Sequence, residues 1–270
     1  MRKTNLRKVF LAAGLGIGFS VVALGQEQTS RVTVPFSDPN RPRTLVVNLI
    51  QGSVTVRGYN GNDAIVEGLR TPRRQEPESH AGMHRIGGPA SMDVTEENNV
   101  ITVHGGVMQS SDLTIQVPVQ TSLRLKTVNG GKIVVEGITG DVEAENINGP
   151  VSATGVSGSV VASSTNGKVT ASLDRITPNK NMSFSTLNGA IDLTLPADTK
   201  ANLRMRTDNG EIWSDFDVKV DGSRPAQTVE EQKGSRHRVR TDNTVFGSIN
   251  GGGPEIQIRT FNGSIYLHKK

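Results

Sequence analysis

Apolar and polar residues alternate along most of this chain in short runs, and the runs stop at the same dipeptide. Leu123, Leu125 and Thr127 lead into Asn129-Gly130. Val160, Ala162 and Ser164 lead into Asn166-Gly167, and Met182, Phe184 and Thr186 into Asn188-Gly189. Leu203, Met205 and Thr207 lead into Asn209-Gly210, and Ile256, Ile258 and Thr260 into Asn262-Gly263. A second run follows: Ile133 and Val135, then Val151 and Ala153 after Asn148-Gly149, then Val169 and Ala171, Ile191 and Leu193, and Ile265 and Leu267. Asn250-Gly251 completes the set. Period-two alternation puts these apolar residues on one face of each strand, so the pattern predicts an all-β chain.

The first five pairs lie 19, 18, 22 and 21 residues apart, with Gly140 and Gly158 as extra corners between some of them. A repeat of this length is the mark of stacked architectures, in which each unit buries its apolar stripe only against its neighbours. The expected fold is a single-stranded β-solenoid, β-helix-like, with Asn-Gly corners. Glycine tolerates positive φ and asparagine tolerates the left-handed region, which suits both to a bend. The small hydroxyl residue two before each asparagine is expected to face inward, and stacked asparagine amides and hydroxyls to form hydrogen-bonded ladders. The alternative is a β-sandwich of hairpins, because Asn-Gly between alternating strands is also the strongest type I′ hairpin signal. Two features favour the solenoid. Residue class repeats at each offset, and the inward residues Ala144, Ala153, Ala162 and Ala171 are small for a sandwich core about 10 Å thick.

Three stretches lie outside the pattern. Arg2, Lys3, Arg7 and Lys8 precede an apolar run from Val9 to Leu24, with small residues before Gln26. Residues 1–25 are therefore expected to be a signal peptide, cleaved before Gln26 and leaving no transmembrane span in the mature chain. Residues 26–43, with Pro35, Pro39 and Pro42, are expected to be an extended linker ahead of the repeat domain at 44–270. Polar excursions are expected near 70–91 and 218–241.

Composition narrows the picture further. The 30 Lys and Arg exceed the 26 Asp and Glu, but four of the basic residues belong to the leader. The mature chain is thus formally neutral, and a nucleic-acid partner is not expected. With no cysteine, neither disulfides, thiolate metal sites nor a lipoprotein anchor is available. Aromatic residues make up only 4%, which suits a thin repetitive core.

The stretch Gly247–Leu267 (GSINGGGPEIQIRTFNGSIYL) resembles the closing signature of the bacterial "putative adhesin" families of unknown function. The stretch Gly52–Tyr59 followed by Asp63–Val66 is similar to their opening one. The resemblance spans roughly residues 45–270 and implies an exported adhesin-like β-solenoid. It brings no catalytic residues.

Candidate chemistry is sparse. His80 and His84 have the spacing of a helical metal pair, but glycine and proline around them argue for loop histidines, and no metal or cofactor is expected. Asp141, Glu143 and Glu145 share the outer face of one strand. Such a face can hold calcium or acid–base catalysis, but is read here as a solvated charged strip. Arg236, His237, Arg238 and Arg240 form a candidate loop for an anionic partner. No catalytic residue is expected. The leading function is a non-enzymatic module, periplasmic or at the cell surface, that binds surface polysaccharide or an envelope protein, or scaffolds the envelope. Alternatives are a polysaccharide-active enzyme using the carboxylate strip and an envelope sensing or signalling partner.

Overall fold

The structure is a computed structural model that describes residues 29–70, 92–105, 111–129, 131–222, 228–233, 236–241 and 244–270. The segment expected to be a signal peptide, the histidines at 80 and 84 and most of the first expected excursion lie outside the described residues. Among the described residues all regular elements are strands, arranged in a 10-stranded sheet, an 11-stranded sheet and a separate two-stranded ribbon.

Both large sheets are parallel through their middles. Each repeat unit contributes one strand to the 11-stranded sheet, turns at its corner, and contributes the next strand to the 10-stranded sheet. Val160–Asn166 pairs with Val142–Asn148 on one side and Met182–Asn188 on the other, both parallel. Val169–Leu173, just past Asn166-Gly167, pairs likewise with Val151–Val156 and Ile191–Leu195. Strands on either side of that Asn-Gly therefore belong to different sheets and do not form a hairpin. A hairpin turn lies instead at Asn98-Asn99, both with positive φ (54° and 65°), between antiparallel Met92–Glu97 and Val100–Gly105. Paired left-handed residues are what a two-residue hairpin needs.

Alternation sets the core. Val142, Ala144 and Asn146 are buried and align with Val160, Ala162 and Ser164. From the opposite sheet come Val151 and Ala153, Val169 and Ala171, and Ile191 and Leu193, all essentially inaccessible. Phe184, fully buried, sits in register beside Ala162 on one side and Ile258 on the other.

The stacking order departs from sequence order at both ends. Along the stack the units run 100–118, 44–59, 122–136, 142–156, 160–173, 182–195, 255–269 and 201–214. The unit 44–59 is thus interposed between 100–118 and 122–136. Likewise 255–269 fills the slot between 182–195 and 201–214. Uniform sequence spacing suggests that 201–214 follows 182–195 directly; the register corrects this.

Antiparallel strands cover most ends of the stack. Asp63–Arg70 lies against Ser111–Pro118 and Thr29–Pro35 lies against it in turn, so the span expected to be a linker contains an edge strand. Val245–Ile249 covers Ala201–Asn209, and Lys219–Val220 covers Val245–Ile249. Capping of this kind hides strand edges that would otherwise recruit other chains. Within the second excursion, Thr228–Lys233 and Arg236–Thr241 form the antiparallel ribbon, paired with neither large sheet.

Candidate functional site

The corners are the most regular feature of the surface. Asn148 donates its amide to Asn129 Oδ1 (3.0 Å), Asn166 to Asn148 (2.9 Å) and Asn188 to Asn166 (2.7 Å). Asn262 continues to Asn188 (2.7 Å), and Asn209 closes onto Asn262 (2.8 Å). Six asparagines therefore form one hydrogen-bonded ladder, in stacking order rather than sequence order. Gln51 occupies the same register position beside Asn129. Asn250-Gly251 stands apart: both have positive φ, and Asn250 donates to the carbonyls of Ala197 and Thr199. It forms the turn before Glu255–Asn262, not a ladder corner.

The inward hydroxyls do not bond to one another. Ser164 donates to the Gly149 carbonyl, Thr186 to Gly167, Thr260 to Gly189 and Thr207 to Gly263, at 2.8–2.9 Å. At these four corners the glycine carbonyl points at the next unit and accepts its hydroxyl, and one unit earlier the Gly131 carbonyl accepts from the Asn146 amide (2.8 Å). The same carbonyl explains the glycines. A Cβ on Gly149, Gly167, Gly189, Gly263 or Gly210 would lie 1.9–2.3 Å from the carbonyl oxygen of the neighbouring glycine. Of these five, Gly263 alone has positive φ, so close approach, rather than the expected left-handed bend, is what selects glycine at the other four.

Glu143 and Glu145 lie on the outer face of Val142–Asn148 and Asp141 immediately precedes that strand, yet each is matched to a cation. Lys180 reaches Asp141 (2.7 Å), Arg124 approaches Glu143 (3.8 Å) and Lys126 meets Glu145 (3.0 Å). Burial alone would raise the Asp141 pKa, but hydrogen bonds from Lys180 and Ser159 outweigh it and hold the carboxyl below its ordinary 3.8. A group with a lowered folded pKa contributes stability at neutral pH that disappears as pH falls below its unfolded value toward the folded one. Replacing Glu143 and Glu145 with glutamine is expected to change stability by less than about 1 kcal/mol, since exposed pairs contribute little. Asp141→Asn is expected to cost more at pH 7 than at pH 3, because Lys180 and Ser159 lose an ionised acceptor. Urea denaturation at the two pH values checks both; equal losses for Asp141→Asn would contradict the linkage.

The basic run Arg236, His237, Arg238 and Arg240 lies on one strand of the ribbon, where the register sets Glu231 opposite Arg238 and Gln232 opposite His237. Among the described residues, no three His, Asp or Glu side chains come together as a metal site. A shallow open depression lined by Arg43, Tyr59, Asn62, Pro118 and Gln120 gathers no acid–base pair.

Two surface features escaped the reading of the sequence. One position before the ladder, Ile50, Val128, Ile147, Thr165, Leu187 and Phe261 form a column on the outer face of the 11-stranded sheet. Ile50, Leu187 and Phe261 are 41–47% exposed. On the opposite sheet, Trp213 is 57% exposed and pairs in register with Tyr266 on the neighbouring strand. The ring of Tyr266 stacks with that of His268 (centroids 6.3 Å apart, planes within 4°). Both aromatic positions follow the first apolar residue after Asn-Gly, in Ile212-Trp213 and Ile265-Tyr266. The template marks that position as outward; its occupants were the signal available.

No family model matches the chain, and no curated protein matches it. It is similar to a solved putative cell adhesion protein from Clostridium sporogenes at 11% identity and a TM-score of 0.47, over 90% of this chain and all of that one. It is also similar to a putative adhesin from Bacteroides fragilis at 11% identity and a TM-score of 0.39, over 90% of this chain and 97% of that one.

Proposed function

We propose that the protein is an exported, non-enzymatic, adhesin-like module, a two-sided β-solenoid whose outer faces bind surface polysaccharide or an envelope protein. The observation that carries this reading is the alignment of outward side chains into columns: an asparagine ladder, a mostly apolar column beside it and charged pairs that join adjacent units. Such a surface repeats at the strand spacing of about 4.8 Å, a period that an extended polymer can follow over many contacts. The basic start and apolar run of residues 1–25 support export. A hydrolytic form of the polysaccharide-active alternative needs one carboxyl held protonated by a raised pKa as general acid. Asp141 is displaced in the opposite sense.

The solenoid makes a geometric prediction. Val169 N–H donates to the Ala190 carbonyl and Ile191 N–H to Ser264, so Lys168, Ala190 and Ser264 occupy successive units at the same position. Lys168→Cys with Ala190→Cys is expected to form a disulfide on mild oxidation, because one strand spacing of about 4.8 Å lies within the Cα range of roughly 4.4–6.8 Å. Lys168→Cys with Ser264→Cys, two spacings apart, is not. Glu211 lies a further unit away, since the interposed unit makes three steps from Lys168 where sequence order suggests two.

The functional test presents the secreted chain, expected to begin at Gln26, to a glycan array and to solubilised envelope. Retention by a surface polymer or envelope protein supports the module. Cleavage of an acidic polysaccharide that disappears in the Asp141→Asn, Glu143→Gln, Glu145→Gln variant would overturn it.

A further inference from the structure

The single tryptophan of this chain and one of its two tyrosines stand side by side on the outer face of the 10-stranded sheet. Trp213 is 57% exposed and presents a large apolar area to water, and beside a second aromatic ring it makes a contiguous patch of the kind that marks a contact surface. The neighbourhood has three further properties. It is flat, because Trp213, Tyr266 and Asp192 occupy one register row on three adjacent parallel strands. It is rich in acceptor oxygens at the ring edges, from Asp192, Asp215 and Glu211. Those carboxylates are already engaged. Asp192 meets Lys168 (2.9 Å) and His268 (3.7 Å), Asp215 meets His268 (3.0 Å), and Glu211 accepts from the Trp213 indole N–H (3.2 Å).

We infer that Trp213, Tyr266 and His268, with Asp192, Asp215 and Glu211, form a binding platform for a neutral polysaccharide. The inference rests on the binding-module reading and names its ligand class. The axial C–H face of a pyranose lies flat on an aromatic ring, whose negative π face attracts the weakly positive C–H groups. Ring hydroxyls at the sugar's edge then donate to the remaining lone pairs of the flanking carboxylates, which keep acceptor capacity beyond their present partners. Carboxylates in the same place repel a uronic-acid polymer. A cationic peptide finds an open plane rather than an enclosing aromatic cage, with the ammonium of Lys168 already beside Asp192. Adjacent strands carry the tryptophan and tyrosine at about 4.8 Å separation. Consecutive sugars of a β-linked chain running along the stack thereby meet consecutive rings.

Because Trp213 is the chain's single tryptophan, its fluorescence reports on this platform alone. The experiment titrates the intact secreted protein with a β-1,4-linked glucose hexamer, an N-acetylglucosamine hexamer, a galacturonate hexamer and an oligolysine peptide. Tryptophan emission is recorded, with retardation in gels containing each polymer as a second readout. A saturable shift with either neutral hexamer, and none with galacturonate or oligolysine, is the expected result. Trp213→Ala and Tyr266→Ala are each expected to weaken retardation by about tenfold or more, as truncating an aromatic anchor does, with an unchanged melting temperature. Trp213→Phe, which keeps a ring, is expected to recover part of it. A response to oligolysine or galacturonate alone, no response to either neutral hexamer, or undiminished retardation of Trp213→Ala would overturn the platform. Retention of Trp213→Ala by solubilised envelope at the wild-type level would sink the platform while leaving the binding module intact. Loss of all envelope and glycan binding by the wild-type protein would instead remove the module itself.

Discussion

Replacing Phe184 with alanine is expected to destabilise the protein by about 3–5 kcal/mol, the range for deleting a buried aromatic ring from a core that cannot collapse around the space. Phe184 is completely buried, and its register neighbour in the preceding unit is Ala162, itself beside Ala144. Across the core the same two units offer Ala153 and Ala171. The substitution therefore extends a region already lined by small side chains. The surrounding backbone is held by parallel ladders on both sides and cannot close inward. Urea denaturation followed by circular dichroism measures the loss. Phe184→Leu, which restores most of the volume, is expected to recover more than half of it; a loss below about 1 kcal/mol for alanine would mean that the core is not packed at this level.

The second large effect is expected at a position with no side chain. In Gly167→Val the new Cβ would stand 2.2 Å from the Gly149 carbonyl oxygen, 2.5 Å from its carbon and 2.8 Å from the Pro150 nitrogen. All three are backbone atoms, so relief requires two units to move apart. Moving them apart stretches the Asn166–Asn148 bond and the Ser164 bond to the Gly149 carbonyl at the same corner. A cost of about 3 kcal/mol or more is expected, at the upper end for single substitutions. Gly222→Ala is the control: nothing lies within 4 Å of its Cβ position, and a change within about 0.5 kcal/mol is expected. Equal melting temperatures for the two variants would refute the close approach of the corners.

These expectations bear on the platform through the order of the units. Asn209 lies beside Asn262, and Asn262 beside Asn188, because the unit 255–269 is interposed. Without that interposition Trp213 would adjoin Asp192 directly. With it, Tyr266 stands between them, and two aromatic rings share one row.

The inside and outside of every strand from Leu123 to Leu195 were legible from the sequence, because period-two alternation is a local property of a few consecutive residues. The positions of the corners were legible for the same reason, and so was the asparagine ladder, since identical side chains at identical offsets must meet if the units stack. Three things were not. The reason for the corner glycines lies in contacts between units, and a dipeptide carries no sign of whether its neighbour's carbonyl is 2 Å away. The separate role of Asn250-Gly251 depends on the antiparallel strand Val245–Ile249 that precedes it. The stacking order is the largest of the three. Each unit offers the same alternation, hydroxyl and Asn-Gly to either neighbour, so the repeat by itself does not distinguish one order from another. Tertiary structure resolves the degeneracy: the non-repeating segments turn into capping strands at the two ends, and the chain that leaves a cap must return into a slot whose two faces are already parallel strands.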